Sequence, residues 1–122
     1  MTIRMFDPVS AHLEHYMNLL STRQKLVASN VANLDTPGYR SRDIDFHFEF
    51  MSKMDAAERG ETVDPPTIVE AGGLIVKNDG NDVSLDNQMR MLSETAIRFS
   101  VASTLLKGQM QSLRTAITEG GK

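Results

Sequence analysis

The chain has 122 residues, a formal net charge of −3 and no cysteine. This length allows one ordinary domain with a modest core. The charge excludes a strongly basic nucleic-acid-binding surface, and the lack of cysteine excludes disulfides and thiolate metal sites. Eight methionines and no tryptophan favour adaptable helical interfaces over a rigid β core.

The N-terminal ten residues contain no apolar region typical of a secretory signal. No apolar run approaches the roughly 18 residues that a membrane-spanning helix needs. Taken alone, these features predict a cytoplasmic chain without a transmembrane segment.

A first helix is predicted over residues 7–34. Asp7 is a candidate N-cap, and Pro8 suits the first helical position. Residues spaced alternately by four and three then form a heptad stripe: Val9, Leu13, Tyr16, Leu20, Arg23, Val27, Asn30 and Leu34. Its polar members, Arg23 and Asn30, are either tolerated interruptions or residues that set the packing register.

The segment Asn30–Tyr39 ends this helix in a polar corner. Proline disfavours helical geometry at Thr36, and Pro37-Gly38 suits the centre of a type II turn. Its Asn, Asp and Thr side chains can bond local backbone groups.

The middle segment, residues 40–83, is predicted to be irregular. Ile44–Phe50 alternates as a strand does, yet the same residues fit a short helix starting near Asp45, which we favour because good helix formers follow. Residues 60–67 form a linker and 68–77 hold at best one or two short strands. Residues 78–82 are a dense turn cluster.

A second helix is predicted over residues 84–118, capped by Ser84 and ended by Gly120-Gly121. Its heptad stripe comprises Leu85, Met89, Leu92, Ala96, Phe99, Ser103, Leu106, Met110, Leu113 and Ile117. Because this helix is longer than the first, part of its stripe needs other chains to cover it.

The expected fold is therefore mainly α. Long N- and C-terminal heptad helices pair as a coiled-coil-like hairpin, either parallel or antiparallel, around the irregular middle segment. Residues 1–39, 40–83 and 84–122 are the three parts of one structural unit.

Candidate chemical sites are weak. His12 and His15 lie three residues apart, without the spacing of a known zinc motif, and are expected to be solvated helix surface, as is His47. The cluster after Asp79 fails the calcium-loop spacing, because its sixth position is Ser84 rather than glycine.

Acid–base chemistry is also poorly supported. Asp35, Asp43 and Asp45 supply carboxylates, but no pocket-forming sequence or nucleophile pattern surrounds them. Gly72-Gly73 is isolated and does not make a phosphate-binding loop. We expect no enzyme activity, no metal and no cofactor.

Two motifs carry a family resemblance that covers nearly the whole chain. Asn30–Tyr39 resembles the N-terminal signature of the bacterial flagellar rod and hook family, and Asp79–Asp86, leading into a heptad helix, resembles its proximal-rod members. The segment Arg42–Phe46 and the short length also resemble the proximal-rod members rather than the distal-rod or hook proteins. Asn87-Gln88 departs from the family's usual acidic residue, which puts a fixed ion pair there in doubt, and Phe99 replaces a common Tyr.

The resemblance implies a structural protein of the proximal rod, which helps connect the membrane ring to the rod and transmits torque. It implies type III export without a cleaved signal and a periplasmic position, replacing the cytoplasmic default. The implied partners are other copies, the neighbouring rod protein FlgC, the ring–rod adaptor FliE, the membrane ring protein FliF and the export apparatus. The alternative is a cytoplasmic coiled-coil adaptor or export chaperone.

We expect assembly contacts from both stripes and from the corner. These residues are Leu13, Tyr16, Leu20, Val27, Asn30, Asn33, Asp35, Thr36, Pro37, Gly38, Tyr39, Leu92, Phe99, Leu106, Met110, Leu113 and Ile117.

Overall fold

The computed structural model describes residues 8–120. The elements in chain order are α1 (Pro8–Ala32), β1 (Arg42–Ile44), α2 (Phe46–Glu58), β2 (Ile68–Glu70) and α3 (Leu85–Gly120). The predicted fold class is confirmed: two long terminal helices enclose a middle segment with a short helix and a two-stranded antiparallel sheet. The predicted cap at Asp7 lies outside the described residues.

The two long helices run antiparallel, which decides between the two pairings left open by the sequence. Asn30, near the end of α1, bonds Gln88, near the start of α3. Tyr16, earlier in α1, bonds Arg98, later in α3. Leu106, still further along α3, lines a cavity together with Glu14 of α1.

A second side of α1 packs against the middle segment. Leu19 and Leu26 form a core cluster with Ile44 of β1, and Phe46 and Phe50 of α2 pack against it. The Tyr16 ring meets both phenylalanine rings edge-on, at centroid distances of 5.4 and 5.7 Å. The first helix therefore lies between α3 and the middle segment, and its buried residues exceed a single heptad stripe.

The ambiguous segment after Ile44 is helical, as favoured above, and the strand alternative is wrong for residues 46–50. Asp45 explains the change of structure, because its carboxylate accepts the Phe48 N–H at 3.2 Å and caps α2. The strand character is confined to Arg42–Ile44, which pairs with Ile68–Glu70.

The contact face of α3 differs from its heptad stripe. Its most buried residues are Gln88, Thr95 and Ala102, each one position before a stripe residue. Leu92, Leu106 and Leu113 of the stripe are half-buried, whereas Leu85, Met89, Ala96, Phe99, Met110 and Ile117 are exposed. The stripe expected to pair with α1 is therefore only partly covered, and the inward position next to it is taken by Gln88, which bonds Asn30.

The helix boundaries need small corrections. The first helix ends at Ala32, and Asn33 and Leu34 belong to the turn that follows. Ser84 caps α3 as predicted, since its hydroxyl accepts the Asn87 N–H at 3.3 Å, but Gly120 still lies within this helix. Within residues 8–120, no helix is long and apolar enough to cross a membrane.

Candidate functional site

The corner after α1 is a type II turn. The Tyr39 N–H donates to the Thr36 carbonyl at 3.2 Å, which places Pro37 and Gly38 at the two central positions. Gly38 has φ +75°, the value that the third residue of this turn requires and that favours glycine. The local prediction from the Thr-Pro-Gly sequence is confirmed.

The second motif docks directly on this corner through Asn81, which is completely buried. Its side-chain amide donates to the carbonyls of Asn33 and Thr36, both at 2.8 Å. These carbonyls lie in the turns just past the end of α1, where each also accepts a backbone N–H. Asn81 therefore caps the helix end from 45 to 48 residues away in sequence.

Two backbone contacts hold the same pair of segments together. The Gly38 N–H donates to the Asp79 carbonyl at 2.8 Å, and the Asp82 N–H donates to the Tyr39 carbonyl at 3.2 Å. Gly80 passes so close that a Cβ atom there would lie 3.3 Å from the Gly38 Cα. The close approach of the two loops thus depends on glycine at position 80, whereas a Cβ atom at Gly38 would meet nothing within 4 Å.

Asn30 joins the corner to the rest of the fold. Its amide donates to the Arg42 carbonyl at 2.9 Å and to Gln88 Oε1 at 3.1 Å. Its Oδ1 accepts the Arg42 N–H and the Tyr39 hydroxyl, both at 3.0 Å. Because every donor and lone pair of the side chain is used, the buried amide is satisfied and costs no unpaired polar group.

Charged groups around the junction are paired. Asp82 is buried and accepts the Ser41 N–H, with Arg40 3.8 Å away. Arg23 binds Asp43 with two hydrogen bonds, at 3.0 and 3.1 Å, and lies over the Phe46 ring. Both polar interruptions of the first stripe, Arg23 and Asn30, therefore fasten the middle segment to α1.

The junction is a clamp of mutually bonded polar groups. Its amides and backbone groups are committed to one another, and Asp43, one of the carboxylates considered above, is held by Arg23. Within residues 8–120, no three His, Cys, Asp or Glu side chains are placed to share a metal ion.

The histidines lie elsewhere. His47 is exposed, as expected, and His12 Nε2 lies 3.5 Å from a Glu58 carboxylate oxygen. The prediction of solvated surface is wrong for His15, whose ring stacks on Phe50 at 5.7 Å. Burial lowers the pKa of His15 below its usual value, because the apolar contact disfavours the charged ring.

The predicted assembly residues fall into three groups by exposure. Leu20, Val27 and Asn30 are buried. Half-buried positions are Leu13, Tyr16, Asn33, Tyr39, Leu92, Leu106 and Leu113. Exposed positions are Asp35, Thr36, Pro37, Gly38, Phe99, Met110 and Ile117. The structure brings the corner residues together with the second motif, while the α3 members extend along a separate surface.

Sequence reasoning missed the buried polar residues that complete the clamp: Ser41, Asn81, Asp82 and Gln88. Each is less than 5% exposed. Asn81 and Asp82 stand in a turn-rich cluster, which is usually solvated. The sequence offered one signal for this contact: both family motifs, Asn30–Tyr39 and Asp79–Asp86, contain asparagine. We did not expect the two motifs to lie in contact.

Comparison with known proteins points to one family. The family model for flagella basal body rod proteins matches residues 17–40, which include the corner. FlgB of Bacillus subtilis is 27% identical across 97% of this chain and 98% of its own length. FlgB of Escherichia coli K12 is 28% identical across 95% of this chain and 99% of its own length. FlgB of Yersinia enterocolitica is 26% identical across 85% of this chain and 89% of its own length.

These relatives match the chain over both motifs and both long helices, not only over the corner that the family model covers. Over nearly its whole length, and at the corner that joins the two motifs, the chain is therefore similar to flagellar basal body rod proteins.

Proposed function

We propose that this chain is a structural subunit of the proximal flagellar rod, in which its long helices pack against those of neighbouring subunits. The proteins that it resembles are rod proteins of the flagellar basal body. The position within the rod and the contacts made there are our inference.

The observation that carries the proposal is the apolar surface left uncovered on α3. Phe99, Met110 and Ile117 of the heptad stripe are 39%, 47% and 61% exposed. A further strip on the side of α3 away from α1 comprises Ile97, Val101 and Leu105, which are 65%, 55% and 56% exposed.

Such exposure is unfavourable for an isolated molecule. Fully burying one large apolar side chain contributes roughly 1.5–3 kcal/mol, and contiguous exposed patches generally mark interaction sites. Phe99 borders α1, with which it lines a cavity, whereas Ile97, Val101 and Leu105 lie on another side of α3. Because both sides keep exposed apolar residues, one subunit can pack between two others. This is the arrangement that a helical tube wall requires.

The clamp at the corner complements this surface. A subunit that transmits torque must hold the angle between its helices and its middle segment under load. Asn30, Asn81 and the Arg23–Asp43 pair tie these parts together with short hydrogen bonds. The exposed tip of the corner, Thr36–Gly38, remains accessible to a neighbour.

The finer assignments follow from the family resemblance. The partners in assembly are other copies, FlgC, the adaptor FliE and the ring protein FliF, and the subunit helps join ring to rod. It reaches the periplasm through the flagellar type III apparatus without a cleaved signal. A cytoplasmic adaptor or export chaperone is the rival function, and it has no need of apolar residues on two sides of one helix.

The proposal is tested by polar substitution on α3. We expect a strain whose only copy carries Met110→Ser and Ile117→Ser to lose swimming motility and to yield basal bodies lacking the chain. The purified variant should keep the helicity of the unchanged protein, because both side chains are exposed.

The matched control carries Gln111→Ser and Thr115→Ser, at exposed polar positions of the same helix end. It should swim normally. Normal motility of the Met110/Ile117 variant would refute the proposed role of this surface. A chain retained in the cytoplasm of a motile strain would favour the adaptor.

A further inference from the structure

The two-stranded sheet has one covered edge and one open edge. On the β1 side, the Asn30 amide bonds both the N–H and the carbonyl of Arg42, as a neighbouring strand would. The β2 side has no such cover: Ile68, Val69 and Glu70 are all exposed, and Ile68 is 51% exposed.

The register shows which groups face the open edge. Arg42 lies opposite Glu70 and Ile44 opposite Ile68, and the Ala71 N–H donates to the Ser41 carbonyl at 2.8 Å. Because bonded and non-bonded pairs alternate in an antiparallel ladder, Ile68 and Glu70 turn their N–H and carbonyl groups away from β1. Within residues 8–120, nothing pairs with them.

The chain also carries a segment suited to such an edge. Leu74-Ile75-Val76 lies outside the helices and strands, and Ile75 is 88% exposed. No hydrogen bond to the backbone of these three residues forms within the described part of the chain. β-Branched residues with unpaired backbone groups are well suited to strand addition.

We propose that the open edge of β2 binds the Leu74–Val76 segment of a second copy, which adds a third strand to the sheet. One surface then meets a different surface on the next subunit, a head-to-tail contact that continues along an assembly instead of closing at a dimer. The inference deepens the proposed function and rests on it for the identity of the partner.

The absence of native cysteine makes a direct test possible. Chains carrying Ile68→Cys, Val69→Cys or Glu70→Cys are each mixed with a chain carrying Ile75→Cys under mild oxidation. Neighbouring strands place Cβ atoms about 4.5–5.5 Å apart, within reach of a disulfide. At least one mixture should form heterodimer at ten times or more the yield of a control mixture of Lys25→Cys and Ile75→Cys chains, because Lys25 is an exposed residue of α1 outside the proposed contacts.

Two further variants separate the alternatives. Val76→Pro, added to the chain that carries Ile75→Cys, removes a backbone donor of the segment and should lower the heterodimer yield at least fivefold. A single chain carrying Val69→Cys and Ile75→Cys should form little internal disulfide at nanomolar concentration.

Yields no higher than the control in all three mixtures would overturn the proposal, as would efficient internal disulfide formation, which would place the segment on the edge of its own chain. A separate result would refute the proposed function. If the chain forms the cross-link but is absent from basal bodies, the rod assignment is wrong and the edge contact is still supported.

Discussion

Asn30 and Gln88 join side-chain amides across the two long helices, 58 residues apart, at 3.1 Å. Both residues are only 1% exposed. The bond joins the end of α1 to the start of α3. With Gln88 facing α1, several apolar residues of the α3 stripe are left exposed, including Met89, Phe99 and Met110.

The first prediction concerns Asn30 itself. Asn30→Ala should lower the free energy of unfolding by at least about 2 kcal/mol. The substitution leaves the hydrogen-bond partners of Asn30 on Arg42 and Gln88 unpaired, and an unpaired buried group costs roughly 1–3 kcal/mol. Urea denaturation followed by circular dichroism measures this. Asn18→Ala, at an exposed position of the same helix, should change stability by no more than about 0.5 kcal/mol. Equal effects of the two substitutions would contradict the assigned role of Asn30.

The hydrogen bonds of Asn81 predict that Asn81→Asp, which changes the charge of the side chain but hardly its shape, lowers the stability of the fold. In Asn81→Asp, the amide that donates to two carbonyls at 2.8 Å becomes an acceptor that repels them. Each carbonyl keeps its bond from a backbone N–H, so the loss of two side-chain hydrogen bonds predicts a cost of about 1–3 kcal/mol at neutral pH. Asn78→Asp, in the exposed part of the same loop, is the control and should be nearly neutral. A loss below about 1 kcal/mol for Asn81→Asp would refute the cap.

The contact between the two loops predicts that alanine is more destabilising at Gly80 than at Gly72. Gly80 has φ +87° and lies against Gly38, so Gly80→Ala should cost about 1–2 kcal/mol from backbone strain alone. Gly72 has open space around it and no positive φ, so Gly72→Ala should be almost neutral. Thermal unfolding of both variants compares them, and equal melting temperatures would count against a close approach of the loops.

The half-buried ring of His15, which stacks on Phe50, predicts a pH effect. Burial lowers its pKa in the folded state, so the unfolded chain binds a proton more readily. Stability should therefore fall as the pH drops through about 6.5, the usual histidine value. The groups that also face His15, namely His12 and Lys53, disfavour its charged form, while hydrogen bonds with the backbone of Glu49 and Phe50 favour it.

Denaturation at pH 7.5 and 5.5 measures this effect. We expect His15→Gln to reduce the difference in unfolding free energy between the two pH values. His47→Gln, at an exposed residue of α2, should leave that difference unchanged. A pH dependence that survives His15→Gln intact would assign the effect to other groups.

Local features were predictable from sequence because their causes are local. The Thr36-Pro37-Gly38 turn, the Asp45 and Ser84 caps and the two long helices each follow from residues within one or two turns of the chain. The periodicity of apolar residues also predicted which segments are helical.

The clamp and the orientation of α3 depend on contacts between distant segments, which the sequence pattern does not contain. Asn81 resembles any polar turn residue until Asn33 and Thr36 are brought beside it. Likewise, the heptad stripe identified residues suited to helix packing but not the partner that each residue packs against. Within this chain, Gln88 rather than a stripe residue lies against α1, where it bonds Asn30.

The most direct test of the account is the location of this chain in basal bodies isolated from a motile strain, determined by electron cryomicroscopy. We predict density for the chain at the membrane-proximal end of the rod, with Met110 and Ile117 of α3 buried against neighbouring subunits. Basal bodies that contain no copy of the chain, or a rod in which this surface of α3 faces solvent, would contradict the account.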